Sequence, residues 1–264
     1  MPDADNHLQL DRVTMAFGDR PVFENLSCSF PRGEISVILG GSGSGKSTIL
    51  RLIGGLIHPV SGRILVEGED ITHLHERQMT AVRMKLGMLF QGGALLDSLS
   101  VFDNLALPLR EHTDADETAI AAAVRDRLDA VGLEDVGALL PNQLSGGMRK
   151  RVALARAIMR DPVILLCDEP FSGLDPISTR QIEALLVEIN QRRGITIVVV
   201  SHHVDSTMRM AGRIMILLPD AVIAGTRDEL RHHRDPRVSA FLTADRDNPA
   251  DLLYPVEQRP GDLR

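Results

Sequence analysis

Ile35-Ser36-Val37-Ile38-Leu39 runs directly into Gly40-Gly41-Ser42-Gly43-Ser44-Gly45-Lys46-Ser47-Thr48. An apolar run of this length, ended by glycines, is a buried strand. The segment after it fits the pattern Gly-x-x-x-x-Gly-Lys-[Ser/Thr], filled by Gly40, Gly45, Lys46 and Ser47. In such a loop the backbone N–H groups of Gly41, Ser42, Gly43 and Ser44 can wrap a polyphosphate. The helix that starts after them turns its positive end toward the anion. Glycine suits positions where a Cβ would block that approach or where φ must be positive. Lys46 is then expected to reach the β- and γ-phosphates, and the Ser47 hydroxyl to hold Mg²⁺.

Working outward, 264 residues allow one large domain or a core with an inserted subdomain. The apolar content of 44% and charged content of 25% are those of a globular protein. A formal net charge of -7 argues against a general nucleic-acid binder, which needs a basic face. No apolar run approaches the ~18 residues that span a bilayer, and the opening MPDADNHLQL has no signal-peptide apolar region. A cytoplasmic location is expected, with any membrane role exercised through a partner. Cys28 and Cys167 fall in predicted strands without metal or disulfide spacing and read as small buried hydrophobes.

Residues 8–38 read as β-structure, with Val13, Met15 and Phe17 alternating, and Leu26, Cys28 and Phe30 likewise. A helix is predicted over residues 46–56, a strand over 63–66, a helix over 76–85 and a strand over 86–90 that ends at Gln91. From Gly92 to about Arg160 the pattern is helical. Thr113 with Asp116 is read as a weak capping box, and Ile120, Val124, Leu128 and Val131 as one helix face. Residues 163–167 are a wholly apolar strand. Asp175 caps a helix with Pro176 first, Ile182, Leu185, Leu186 and Ile189 buried, and Gly194 as its stop. Strands are predicted over 195–200, 213–218 and 221–224, and a short helix near 236–242. The chain after Asp245 is expected to build no core of its own.

Strands alternating with helices predict an α/β fold with a mostly parallel sheet. Ligands of such sheets bind at the carboxyl ends of the strands. Three chemical groups fall at such ends: the loop after Leu39, Asp168-Glu169 after Cys167, and Ser201-His202 after Val200. Phosphoryl transfer asks for charge neutralisation and a positioned nucleophile. Asp168 suits the Mg²⁺ shell, Glu169 the polarisation of a water, and the Gln91 amide a metal or a water. A second anion-binding helix end is offered by Leu144-Ser145-Gly146-Gly147-Met148. One nucleotide cannot easily use two such ends from distant parts of one chain. A symmetric dimer, each Ser145 segment closing on the other copy's Gly40 loop, resolves this.

Taken in order, GGSGSGKST, Gln91, LSGGM, ILLCDEP, Ser172-Gly173-Leu174-Asp175 and Ser201-His202 resemble the ATP-binding subunit of ABC transporters. The resemblance spans about residues 8–230. It implies a P-loop NTPase, RecA-like core with an antiparallel β edge, a helical subdomain inserted at roughly 92–160, and a C-terminal extension over 231–264. It further implies a head-to-tail homodimer with two ATP at its interface. By motif, Lys46, Ser47 and Thr48 bind phosphates and Mg²⁺, and Gln91 senses the metal and the transmembrane partner. Ser145, Gly146 and Gly147 meet the opposite γ-phosphate. Asp168 is the metal acid, Glu169 the general base, Asp175 the residue linking both sites, and His202 the switch histidine. Phe17 either stacks on adenine or packs in the core. His203 and Ser206 stand where the family usually has Asp and Glu, which bears on local helix polarity.

A narrower resemblance rests on Phe90-Gln91-Gly92-Gly93-Ala94-Leu95-Leu96, on the run from Val101 to Thr113, on LSGGM and on Asp168-Glu169-Pro170-Phe171. These are similar to the ATPase subunit of Mla-type phospholipid transporters, which work between bacterial inner and outer membranes. The resemblance implies a multi-spanning permease, a periplasmic lipid-binding MCE protein and a small STAS-domain protein as partners, with the ATPase peripheral on the inner membrane. The segment Leu252-Leu253-Tyr254-Pro255 either reaches across the dimer or is an unstructured end.

Overall fold

The computed structural model describes residues 6–243. Its centre is β3 (Ile35–Gly40), buried throughout its length. Contiguous apolar strands must be covered on both faces, because successive side chains point opposite ways. Ile35, Val37 and Leu39 enter one core and Ile38 the other. The same division recurs in β7 (Ile164–Asp168), where Leu165 and Cys167 face one core and Ile164 and Leu166 the other. In β8 (Thr196–Val200), Ile197 and Val199 part from Val198 and Val200 in the same way.

These strands lie in a six-stranded sheet with β6 (Leu86–Leu89), β9 (Arg213–Leu217) and β10 (Val222–Gly225), in the order β10-β9-β3-β8-β7-β6. All neighbours are parallel except β10, which pairs antiparallel with β9 at one edge. One face is covered by helix α5 (Gly146–Ala157), helix α6 (Pro176–Arg193) and helix α9 (Pro236–Thr243). Val238 and Phe241 of α9 are fully buried there, so this polar part of the chain contributes to the central core. On the other face lies α1 (Lys46–Ile53), with a second, antiparallel sheet outside it. That sheet joins β1 (Asn6–Phe17), β2 (Arg20–Pro31), β4 (Ser61–Val66) and β5 (Glu69–Asp70) in the order β2-β1-β4-β5. The remaining helix on this side is α2 (Glu76–Met84).

Between β6 and β7 the chain builds a third core from α3 (Val101–His112), α4 (Glu117–Ala130) and α5. Residues 92–100, expected to be helical, form a loop instead. Gly93 and Ala94 have φ of 77° and 50°, which a right-handed helix cannot hold. The buried Asn104 amide holds the loop, accepting from Leu96 N at 2.8 Å and donating to the Leu96, Leu99 and Ser100 carbonyls. Thr113 does not open α4: its hydroxyl donates to the Leu109 carbonyl at the end of α3, and Asp116 caps α4 by accepting from Ala119 N. Asp175 and Gly194 bound α6 as predicted, the glycine at φ 64°. Two helices were not placed by the hydrophobic pattern, α7 (Val204–Met210) and α8 (Arg227–Arg231), both shorter than that period needs to declare itself. The segment from Leu252 to Pro255 lies outside the described residues.

Candidate nucleotide site

The carboxyl ends of β3, β6, β7 and β8 lie side by side because their strands are parallel neighbours. After β3 the loop closes with Ser44 N donating to Gly41 O, and α1 starts at Lys46. Gly45 has φ 91°, and a Cβ there would lie 2.7 Å from Val22 Cγ1 and 3.0 Å from Phe23 Cδ1. The first turn of α1 holds no acidic residue of its own, and its positive end faces the loop. The Lys46 ammonium donates to the carbonyls of Gly40 and Gly41 at 2.9 and 2.8 Å. Burial holds its pKa below the ordinary lysine value, with Glu169 and Asp168 opposing. The Ser44 hydroxyl is buried without a hydrogen-bond partner.

Ser47 Oγ donates to Asp168 Oδ1 at 2.7 Å, which brings the end of β7 onto the start of α1. A hydroxyl and a carboxylate oxygen in direct contact are the hard donors that Mg²⁺ takes, so these residues fit the ion. Gln91 follows β6, whose Leu89 is in register with Cys167, so it stands at the same sheet edge as Glu169. Its exposed amide makes no hydrogen bond among the described residues.

Glu169 is the sharpest feature. Its φ is 49°, left-handed for a residue with a Cβ, and its Oε2 is buried with no hydrogen bond. Its carbonyl accepts from Ser172 N at 3.2 Å, from Ser172 Oγ at 3.0 Å and from Lys150 Nζ at 3.2 Å. The turn beyond β7 is thus held in a strained form, with Oε2 turned toward His202. His202 Nδ1 approaches that oxygen to 2.9 Å without the alignment of a hydrogen bond. The carboxylate still raises the His202 pKa above the ordinary value, against burial and Lys46. The His203 ring stacks on His202 with centroids 4.3 Å apart and meets the Phe171 ring edge-on at 5.9 Å. Burial, and then the His202 charge, lower its pKa. Asp205 supplies an acidic residue in the first turn of α7, which preserves the polarity that His203 and Ser206 put in question.

Phe17 ends β1 and is 53% exposed, which excludes the core alternative. Its hairpin lies beside the phosphate loop, since Val22 and Phe23 of β2 crowd Gly45. Ser145 caps α5 by accepting from Met148 N, with Gly146 and itself exposed. A Cβ on Gly147 would come within 2.7 Å of Ser178 Oγ, so the start of α5 packs on the start of α6. There Asp175 accepts from Ile177 N, Ser178 N and Ser178 Oγ, which hold its carboxyl below the usual range. The structure therefore gathers two groups: the Gly40 loop with Ser47, Gln91, Asp168, Glu169 and His202, and the Ser145 cap with Asp175. No hydrogen bond joins Ser145 to the Gly40 loop among the described residues. Lys150 carried no expectation from the sequence, and Ser172 was named only as part of the motif that leads to Asp175. The one available signal was a lysine three residues after Gly147 and four before Leu154, on the buried stripe of α5.

Residues 23–172 match the family model described as ABC transporter. The Haemophilus influenzae intermembrane phospholipid transport system ATP-binding protein MlaF is 44% identical over 98% of this chain and 98% of its own length. Its Escherichia coli K12 counterpart of the same name is 42% identical over 98% and 96%. Among solved structures, the dimeric post-hydrolysis state of the ATP-binding cassette MJ0796 bound to ADP and Pi aligns with a TM-score of 0.77. It is 31% identical and covers 83% of this chain and 98% of that one.

Proposed function

This chain belongs to the ABC transporter family of ATP-binding proteins, and on that premise we propose that its ATP hydrolysis drives phospholipid transport between the inner and outer bacterial membranes. The observation that carries the ATPase reading is the meeting of Lys46, Asp168, Glu169 and His202 at one sheet edge, with the buried Glu169 Oε2 facing His202 at 2.9 Å. The cargo rests on the relationship to the two transport proteins, which runs the length of the chain.

ATP enters the Gly40 loop with its phosphates against the start of α1 and its adenine on Phe17. Lys46 exchanges the Gly40 and Gly41 carbonyls for phosphate oxygens. Ser47, Asp168 and Gln91 are the residues that would hold Mg²⁺, which neutralises charge developing on the phosphates when bound. Glu169 takes the proton of the attacking water on its carboxylate. His202, raised toward its charged form, lies where it can steady both that carboxylate and the γ-phosphate. A second copy closes the site with Ser145, Gly146 and Gly147, and Asp175 ties the two sites together.

Within the chain we assign residues 8–230 to the ATP-binding domain, with 92–160 as the insertion, and 231–264 to an extension whose α9 packs back into the domain's central core. Among the described residues no helix is long and apolar enough to cross a membrane. Attachment to the cytoplasmic face of the inner membrane is therefore assigned to a multi-spanning permease, with STAS-domain and MCE proteins completing the assembly. Purification of the complex from bacterial membranes, followed by lipid analysis, tests the cargo. A permease recovered with an MCE protein and phospholipid is expected. An amino-acid permease without an MCE component would overturn the lipid reading and leave the ATPase reading standing.

A further inference from the structure

We propose that Lys150 is a positioning residue that makes the action of Glu169 depend on where α5 sits, and so on whether the Ser145 cap is engaged by the other copy's nucleotide. The proposal rests on the reading of Glu169 as the general base.

Lys150 is 8% exposed and makes no direct ion pair among the described residues, although the nearby Glu169 and Asp168 favour its charge. Its ammonium is spent on two backbone carbonyls, those of Gln91 and Glu169. These belong to the two segments that leave β6 and β7 beside the site. Burying a cation for two carbonyls is a poor way to gain stability, since a methionine of similar length would fill the space without desolvating a charge. What the ammonium adds is direction. Glu169 stands at φ 49°, and such a backbone persists only where its surroundings fix it. Ser172 supplies two of the fixing hydrogen bonds from within the same turn. The Glu169 N–H is tied to Val200 O at the end of β8, and Lys150 supplies the one further bond on the Glu169 carbonyl, from a helix of the insertion.

That helix is α5. It is the helix capped by Ser145, and it packs into both the central core through Ala153 and Leu154 and the helical core through Val152 and Ala155. Lys150 lies five residues from the cap, on a helix too short to bend appreciably between them. Any rotation of the helical insertion that moves Ser145 therefore also moves the donor on the Glu169 carbonyl and on Gln91. In the dimer the Ser145 cap attends the other copy's nucleotide while Glu169 attends its own. Lys150 thus links the filling of one site to the geometry of the base in the other.

The test compares Lys150→Met, Lys150→Arg and Lys150→Gln in the full-length protein, measuring kcat and KM for ATP, nucleotide affinity without turnover, and Tm. A lost hydrogen bond from a charged donor lowers kcat of Lys150→Met by roughly 10–100-fold. Nucleotide affinity and Tm are expected to stay at the wild-type values. Lys150→Arg restores turnover, and Lys150→Gln, a neutral donor, falls between and supplies the comparison should the methionine variant not fold. Wild-type kcat in Lys150→Met or Lys150→Gln overturns the proposal. So does a loss of kcat accompanied by equal losses of nucleotide affinity and Tm, which is a purely structural role. Glu169→Gln is assayed in parallel. Normal turnover there removes the base reading itself, whereas a dead Glu169→Gln beside a fully active Lys150→Met removes only the role of Lys150.

Discussion

Replacing Glu169 by glutamine changes one oxygen for an NH₂ and leaves the turn beyond β7 unaltered. The three hydrogen bonds that hold residue 169 fall on its backbone carbonyl, and its own N–H donates to Val200 O. No part of the fold should register the change, so Tm is expected to hold. The phosphate loop is equally untouched, and ATP affinity should hold or tighten as a carboxylate leaves the neighbourhood of the phosphates. Only proton acceptance is lost. A positioned base contributes about 10²–10⁴-fold, which is about 3–5 kcal/mol of barrier. Single-turnover phosphate release from bound ATP should slow by that factor. His202 offers a second readout, because the Glu169 carboxylate raises its pKa. In Glu169→Gln the His202 resonances should titrate at lower pH than in the wild type. Phosphate release at the wild-type rate refutes the assignment of Glu169 as the base, and a His202 pKa that does not fall refutes its pairing with Glu169.

Lys46→Ala should abolish nucleotide binding measured by titration calorimetry; normal affinity would contradict its phosphate role. Gly45→Ala meets both a left-handed backbone, about 1–2 kcal/mol, and the Val22 and Phe23 side chains, about 1–3 kcal/mol of overpacking, so denaturant unfolding should report a loss of about 2–5 kcal/mol. His7 is buried, with Nδ1 at 2.5 Å from Thr196 Oγ1 and Nε2 at 3.2 Å from Glu67. The ionised Glu67 carboxylate can only accept, so a neutral ring carries its proton on Nε2 and its Nδ1 accepts from Thr196 Oγ1. Burial lowers its pKa from the ordinary 6.5. The unfolded chain therefore binds more protons just below pH 6.5, and stability rises with pH through that window and is lost as pH falls. The Tm difference between pH 7.5 and pH 5.5 should shrink in His7→Gln, and an unchanged difference would exclude the His7 contribution. Chelation of Mg²⁺ should stop hydrolysis while leaving Tm of the nucleotide-free protein unchanged, as checked by calorimetry.

Much of this site was legible because its parts are local. A loop that must approach a phosphate needs Gly45, and the clash of any Cβ with Val22 and Phe23 adds a tertiary reason to the conformational one. The apolar strands that deliver Asp168 and His202 read directly from their composition. So did the Asp175 cap and the Gly194 stop of α6. Features set by side-chain contacts between distant segments did not read. The Gly92–Ser100 stretch is a loop because Asn104 bonds its backbone, and nothing in its apolar pattern says so. Phe17 continues the alternation of Val13 and Met15 but falls at a hairpin end, where alternation no longer implies burial. Val238 and Phe241 lie in polar sequence, and only the fold shows that they close the central core. Lys150 looks like one more surface lysine until its carbonyl partners are seen.

The proposed chemistry of the site has two copies sharing each nucleotide. Glu169→Gln with ATP and Mg²⁺ gives a species of fixed composition, in which Ser145→Cys and Ser42→Cys can be cross-linked with a short thiol reagent. A dimer with cross-links between copies, dependent on ATP, is the predicted result. A monomer by mass, or a dimer in which those cysteines never join, would contradict it.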